Sequence, residues 1–321
     1  MNKGVLCSGS IVYDILVRPV HAVRWGTTNL VESIEYHVGG NGANTSIALA
    51  SLGVPARLIG TVGDDDQARV VCERLRSAGV DTRWLRQANA PTAASIAVVN
   101  HAGERMFLHR LGASGEAFPS PLDFPADLTE GMVHYHLASL FMLPRLREHA
   151  AETLVHARRA RLTTSLDTNW DPQGHWMRDL VPCLPHLDFV FLNEDEARMI
   201  TGTSSPAHAA EVLVAKGARA VIVKLGPRGC AIYTSSTACT CPGFAVEAKD
   251  TTGAGDCFVA GFLAATTRGE SLAEAGRFAN AVAAKSVQKI GGAVGIPTYD
   301  QVKTWAESAV RPEVQEPISD V

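Results

Sequence analysis

The stretch Val246-Glu-Ala-Lys-Asp-Thr-Thr-Gly-Ala-Gly-Asp-Cys-Phe-Val-Ala-Gly-Phe262 decides how the rest of the chain is read. Small residues from Thr251 to Gly255 lie between a β-like segment, Gly243 to Val246, and an apolar run of helical character that begins at Cys257. A glycine turn that opens a helix aims several backbone N–H groups at one point, and the helix dipole adds partial positive charge there. Such a turn suits an anion. Asp256 stands at its edge, where a carboxylate is useless for holding an anion but well placed to take a proton from a hydroxyl attacking phosphorus. Taken alone, Gly253-Ala254-Gly255-Asp256 reads equally as a plain loop with an N-capping aspartate.

Bulk properties narrow the partners. The chain has 321 residues, 46% hydrophobic and 19% charged, enough to bury the core of one large α/β domain or two modest ones. Its net charge of −4 and the lack of a basic run argue against nucleic acid and anionic membranes. An anionic substrate would have to be held by local groups. The apolar run after Met1 is broken by Ser8, Gly9, Ser10 and Asp14, so no signal peptide is expected, and no stretch has the length of a membrane span. Seven scattered cysteines, an odd number, argue against a disulfide framework and for a cytoplasmic location. Cys239 and Cys241 read as alternate residues on one strand face rather than half a metal site.

Outward from the opening stretch, strands alternate with helices. Strands are expected at Gly4 to Val12, Arg57 to Val62, Met132 to Leu137, Leu162 to Asp167, Phe189 to Leu192 and Ala220 to Leu225. Helices are expected after Gly40 and over Gln67 to Ala78, Pro144 to Arg161, His175 to Leu184, Glu194 to Ile200, Pro206 to Lys216, Cys257 to Thr267, Leu272 to Lys289 and Tyr299 to Ser308. In the second of these, Val70, Val71, Leu75 and Ala78 form the expected apolar face. This alternation implies an α/β fold with a largely parallel sheet covered on both sides. Residues 92–112 differ, reading as a β-hairpin turned at His101-Ala-Gly-Glu104, and with 12–38 they would form a small separate β layer, a lid. The expected organisation is one domain over 1–310, with a flexible tail over 311–321.

Several nucleotide and hydrolase motifs are absent. There is no GxxxxGK[ST] loop, no HExxH and no GxSxG, and the Gly40-x-Gly42 turn lacks the third glycine of a dinucleotide fingerprint. What remains is two glycine turns, both opening helices, together with Asp14 and Asp256. His134 and His136 fall on no metal-ligand spacing and read as two residues on one strand face.

At this point the chain resembles the ribokinase-like (PfkB) carbohydrate kinases. Gly39-Gly40-Asn41-Gly42-Ala43-Asn44-Thr45-Ser46, with Gly53 and Gly63, is similar to the family's first signature, and Asp250-Thr-Thr-Gly-Ala-Gly-Asp256, with Ala260-Gly261, to its second. Between them, Asn193-Glu-Asp-Glu196 looks like its NxxE element and Leu225-Gly-Pro-Arg-Gly229 like its nucleotide-side turn. The likeness runs from about Gly4 to Ser308.

The resemblance implies a three-layer α/β/α kinase with a β lid, ATP and Mg²⁺ as cofactors, and transfer to a primary hydroxyl of a small sugar or sugar acid. Asp256 would be the base, and the N–H groups of Gly253, Ala254 and Gly255 would stabilise the transferring phosphoryl group. Asn193 and Glu196 would hold Mg²⁺, directly or through water; apart from the resemblance, they read as a helix cap with first-turn acids. Lys224, Gly226, Gly229 and Asn280 would lie on the ATP side. Asp250, Thr252 and backbone groups of Lys289, Gly292 and Gly295 match the family's monovalent-cation loop and imply K⁺ activation. Asp14, Gly40, Asn41, Asn44 and Asn169 would hold the sugar, under a lid contributing Arg105, which reads equally as a solvated turn residue. Asn41 stands where ribokinases carry lysine, and His136-Leu-Ala-Ser139 has no acid matching their ribose-contacting glutamate; both departures point away from ribose. A nucleoside kinase and a non-catalytic sugar sensor are the rival readings, and a homodimer through the lid is expected.

Overall fold

The computed structural model describes residues 3–23, 25–101 and 104–309. The expected tail and the centre of the hairpin turn lie outside them. In chain order the elements are β1 (Gly4–Ser8), β2 (Val12–Arg18), β3 (Ser33–Gly39), α1 (Asn41–Ser51), β4 (Ala56–Val62), α2 (Asp66–Ser77), β5 (Leu85–Gln87), β6 (Ala93–Val99) and β7 (Arg105–Arg110). Then come α3 (Ala126–Thr129), β8 (Met132–Leu137), α4 (Pro144–Arg159), β9 (Thr163–Asp167), α5 (Met177–Leu180), β10 (Phe189–Asn193), α6 (Glu194–Thr201) and α7 (Pro206–Ala215). The chain finishes with β11 (Ala220–Lys224), β12 (Gly229–Thr234), β13 (Ala238–Pro242), α8 (Ala254–Thr267), α9 (Leu272–Ser286) and α10 (Tyr299–Ser308).

The main sheet has the order β13-β12-β11-β10-β9-β8-β1-β4-β5, with parallel pairing throughout except that β12 runs antiparallel to both its neighbours. Both faces are buried, so strand residues alternate between two cores. Val5 and Cys7 pack with α1, α2 and α8, while Leu6 packs with α4 on the other side. Phe191 against Val190 and Leu192, and Ile222 against Val221 and Val223, divide the same way. α8 is buried on all sides from Asp256 to Ala265, which fits its nearly unbroken apolar sequence. Gly261 permits its close approach to α9: a Cβ there would lie 2.9 Å from the Ala279 Cα.

The lid is a second sheet of order β3-β2-β6-β7, two antiparallel pairs joined by a parallel β2–β6 seam. Several expectations need correction here. Gly4 to Val12 is not one strand: the chain leaves the main sheet after Ser8 and enters the lid at Val12. Asp14 therefore sits within a lid strand, not past the end of a core strand. Gly243 to Val246 is irregular, and α8 begins at Ala254, three residues earlier than expected, so Asp256 belongs to its first turn. The helix expected near His175 shrinks to the single turn of α5 and a short 3₁₀ turn, Leu184–His186. α9 stops at Ser286 rather than Lys289. On α2 the buried face is Ala68, Val71 and Leu75, whereas Val70 points outward, 40% exposed.

Candidate active site

The two glycine turns meet. Gly40 and Gly253 each precede a helix with positive φ (90° and 69°), and neither helix has a side-chain cap. The space beside both is filled by backbone: a Cβ on Gly40 would lie 2.5 Å from the Ser10 carbonyl oxygen, and one on Gly253 2.6 Å from that of Gly292. At the start of α8, Ala254 N–H makes a long 3.3 Å bond to the Thr251 carbonyl, while those of Gly253 and Gly255 donate to no backbone acceptor among the described residues. Of the three expected anion-hole donors, two are free and one is partly engaged.

Asp256 projects from this turn and is only 5% exposed. Its Oδ1 accepts from Asn41 Nδ2 and its Oδ2 from Asn44 Nδ2, both at 2.8 Å. Asn41 is oriented in turn: its Oδ1 accepts from Ser139 Oγ at 3.1 Å, and Ser139 and Ser10 hydroxyls meet at 3.1 Å. The backbone N–H of Asn41 donates to Ser10 Oγ at 3.0 Å. Ser10 and Ser139, outside the expected site residues, thus support the donor side. Serines just past strand ends were the available signal. Burial, together with the nearby Asp167 charge, pushes the Asp256 carboxyl up to about 7, against the lowering effect of the two asparagine amides. That value suits a base working near neutral pH.

Asp14 crosses from the lid. Its carboxylate lies over Gly39, where a Cβ would sit 1.8 Å from Oδ2, and it is pushed up to about 7 by burial and then by the charge of Asp256. The lid and the helix α8 therefore place two carboxylates within electrostatic reach of one another. Asn169, after β9, has φ 60° and a buried Oδ1 without a partner.

Behind the α8 turn lies a buried charged group. Lys224 Nζ pairs with Asp167 Oδ2 at 2.8 Å, and a Cβ on Gly255 would be 3.4 Å from that same Nζ. Burial alone would lower the Lys224 pKa, but Asp167 and Glu196 outweigh it and hold the ammonium charged. His136, also buried, takes Ser165 Oγ at Nδ1, and burial pushes its pKa down to about 3, so it is neutral. His134 and His136 do share one strand face, and both are buried.

Asn193 and Glu196 form a full capping box on α6: Glu196 N–H donates to Asn193 Oδ1, and Asn193 N–H to Glu196 Oε2, both at 2.8 Å. Thr168 Oγ1 also donates to Oε2, which leaves Oε1 without a hydrogen bond among the described residues. No cluster of three metal-ligating side chains occurs among the described residues. A magnesium ion held by Glu196 Oε1 and otherwise by waters and phosphate fits this donor set.

On the side expected to take ATP, the space beside Gly226 (φ 59°) is open. That beside Gly229 is not: a Cβ there would be 2.1 Å from the Cys241 carbonyl oxygen, so strand packing alone requires glycine at 229. Asn280 Nδ2 donates to the Cys241 and Pro242 carbonyls, tying α9 to the end of β13.

The lid arginine and the expected cation loop meet each other. Arg105 does not reach the Asn41–Asp256 network; its Nη2 pairs with Asp250 Oδ1 at 2.8 Å and its Nη1 donates to Thr252 Oγ1 at 2.6 Å. Asp250 Oδ1 also accepts from Thr252 N–H, Oδ2 accepts from Gly291 N–H, and the Gly292 carbonyl packs on Gly253 and accepts from Cys257 Sγ. Of the oxygens expected to hold K⁺, those of Asp250, Thr252 and Gly292 face donors of this chain. Lys289 and Gly295 lie beside each other in the same loop, in contact through the lysine side chain.

A buried carboxylate held by two amides, beside a helix N-terminus with free N–H groups, is chemically suited to phosphoryl transfer. Comparison with known proteins supplies the family. The chain belongs to the pfkB family of carbohydrate kinases, whose sequence profile matches residues 2–299. It is 31% identical to an ATP-dependent ribose-1-phosphate kinase of Halopiger xanaduensis over 94% of this chain and 97% of that one. It is 28% identical to fructokinase-1 of Oryza sativa subsp. japonica, covering 84% and 88%. The structure of Arabidopsis thaliana ribokinase complexed with ribose and ATP superposes with a TM-score of 0.84 at 25% identity, over 96% of this chain and 99% of the other. The fold is the ribokinase fold, and the enzyme is an ATP-dependent carbohydrate kinase.

Proposed function

We propose that this kinase transfers the γ-phosphoryl group of ATP to a primary hydroxyl of a small neutral sugar, with Asp256 as the base. The observation that carries the reading is the Asp256 carboxylate, buried, pushed up to about 7, and held at both oxygens by Asn41 and Asn44. Those amides leave the remaining lone pairs free to receive the hydroxyl proton. The free N–H groups at Gly253 and Gly255 bind the transferring group, and Lys224 supplies positive charge behind them. Asp14, Gly40 and Asn169 complete the sugar side. Mg²⁺, through Glu196 and Asn193, would neutralise phosphate charge, with Lys224, Gly226, Gly229 and Asn280 lining the nucleotide side. Lid closure over the floor excludes water that would otherwise accept the phosphoryl group.

A neutral sugar is favoured over a sugar acid because Asp14 and Asp256 already repel one another. A substrate carboxylate would add a third negative charge, and the nearby cations Lys224 and Arg105 are committed to Asp167 and Asp250. ADP release measured across neutral sugars, sugar acids and nucleosides tests this. Turnover confined to sugar acids or nucleosides would overturn it.

Two further parts belong to the same reading. The lid's Ile34, Tyr36, Met106, Phe107 and Leu108 are each 44–57% exposed, which supports a homodimer through this sheet; a monomer by light scattering at micromolar concentration would refute it. Seven free thiols support a cytoplasmic location, and no helix among the described residues is long and apolar enough to cross a membrane.

A further inference from the structure

The loop Asp250–Gly255 carries the proposed anion hole, and it is held in place from three sides. Its anchor is Asp250, 7% exposed, whose Oδ2 takes the Gly291 N–H at 3.0 Å and whose Oδ1 takes the Thr252 N–H at 2.7 Å. The Lys249 and Asp250 N–H groups both donate to the Val287 carbonyl, so the loop is clasped against the turn after α9. The remaining partner comes from outside both segments. Arg105, the first residue of lid strand β7, brings Nη2 to Asp250 Oδ1 at 2.8 Å and Nη1 to Thr252 Oγ1 at 2.6 Å. Thr252 directly precedes Gly253. The guanidinium thus grips two residues of the wall from which the anion-hole N–H groups project, at a contact spanning 147 positions of sequence in the Thr252 bond.

We propose that Arg105 is the positioning cation of the anion-hole loop: delivered by the closed lid, its guanidinium fills the electrostatic role that the family resemblance assigned to K⁺. A planar guanidinium suits this place because it satisfies a carboxylate and a hydroxyl at once. A second cation beside it on Asp250 would meet like-charge repulsion in a largely dry setting. Charge balance points the same way, since the Arg105 guanidinium already offsets the buried Asp250 carboxylate at 2.8 Å. The consequence is mechanical as well as electrostatic. An ion from solvent would set the loop whether or not the lid is closed; an arginine on β7 sets it only when β7 is down. Completion of the anion hole is therefore coupled to closure over the sugar, which keeps the hole incomplete while the acceptor is still exchanging.

This inference rests on the kinase reading for its rate effects but not for its binding test. The first measurement uses the protein without substrates: thermal midpoints in K⁺ against choline, at equal ionic strength, for wild type and Arg105→Ala. Wild type is expected to be indifferent to the ion, while the variant, with a vacated carboxylate, gains a midpoint rise of a few degrees in K⁺. The second measures turnover on the best substrate. Wild type should change by less than about threefold between the salts, and Arg105→Ala should lose about tenfold or more in kcat with partial recovery in K⁺. Arg105→Lys, which keeps the charge but one contact fewer, should fall between them and shows that a loss in the alanine variant is not general misfolding. A wild type whose midpoint or turnover rises strongly with K⁺ overturns the proposal, as does a folded Arg105→Ala protein with no response to K⁺. If wild type releases no ADP in either salt, the kinase reading fails while the midpoint series still decides the role of Arg105.

Discussion

The two glycine turns are locally alike and chemically opposite. Each follows a β-segment or loop, each puts a positive-φ glycine just before a helix, and each helix lacks a side-chain cap. α1 has no acidic residue in its first turn and offers the amides of Asn41 and Asn44; α8 has Asp256 there. One helix end supplies donors and the other a carboxylate, and neither is complete alone. A helix N-terminus normally favours a carboxylate; here burial and the charge of Asp167 outweigh that preference, which leaves Asp256 poised rather than simply ionised.

Removing the asymmetry should have the largest effect. Asp256→Asn converts the second turn into a copy of the first, and turnover on the best sugar should fall by about 10²–10⁴-fold while ATP binding, read by nucleotide-dependent thermal shift, persists. Near-normal turnover would show that the carboxylate is not the base. The same variant carries a stability signature of opposite sign. The Asp256 carboxyl lies at about 7 in the fold, above its ordinary value, so its contribution is fully present at low pH and is lost as pH rises through about 7. Above that pH Asp256→Asn should be the more stable protein, by about 1–4 kcal/mol, with the gap closing toward pH ~4. Paired thermal melts across pH read this directly.

Next in size is the charge behind the second turn. Lys224→Met leaves Asp167 buried without its 2.8 Å partner, and the midpoint of chemical denaturation should report a loss of about 3–5 kcal/mol. A loss confined to activity would mean that the pair is more hydrated than its burial implies.

The donors of the first turn can be separated. Asn44 is 4% exposed and Asn41 only partly buried, so Asn44→Ala should cost more than Asn41→Ala, each within about 1–3 kcal/mol of transition-state stabilisation. Both amides lower the Asp256 pKa, so either deletion should move the acid limb of the kcat/KM profile to higher pH. The smallest expected change is Asp14→Asn. The Asp256 charge raises Asp14, and because coupling between two charges is reciprocal, removing the Asp14 carboxylate should shift the same limb downward by less than about one unit. An upward shift would mean that Asp14 does not face Asp256 in the working enzyme.

Much of this was readable from local pattern. The helices over Pro206 to Lys216 and Tyr299 to Ser308 and the strand Met132 to Leu137 fall where period and end signals put them, because both signals act within a few residues. The two signature stretches also announced themselves as helix-opening turns. Local pattern failed where a boundary depends on a distant partner. Gly4 to Val12 is evenly apolar, yet the chain changes sheets within it because β2 pairs with β3 and β6. α8 starts early because its first turn is packed on the Gly292 carbonyl and the α1 asparagines, contacts invisible to hydrophobic period.

By itself, then, the sequence determined the α/β alternation, the lid hairpin, the position of both helix-opening glycine turns and the presence of an acid at only one of them. Those are properties of neighbouring residues: propensity, period and the backbone freedom of glycine. Only the tertiary structure decided that Asn41 and Asn44 hold Asp256, that Lys224 stands behind Gly255, and that Arg105 grips Asp250. Each of these depends on electrostatic and hydrogen-bond energies that fall off within a few ångströms, between groups the chain brings together only by folding.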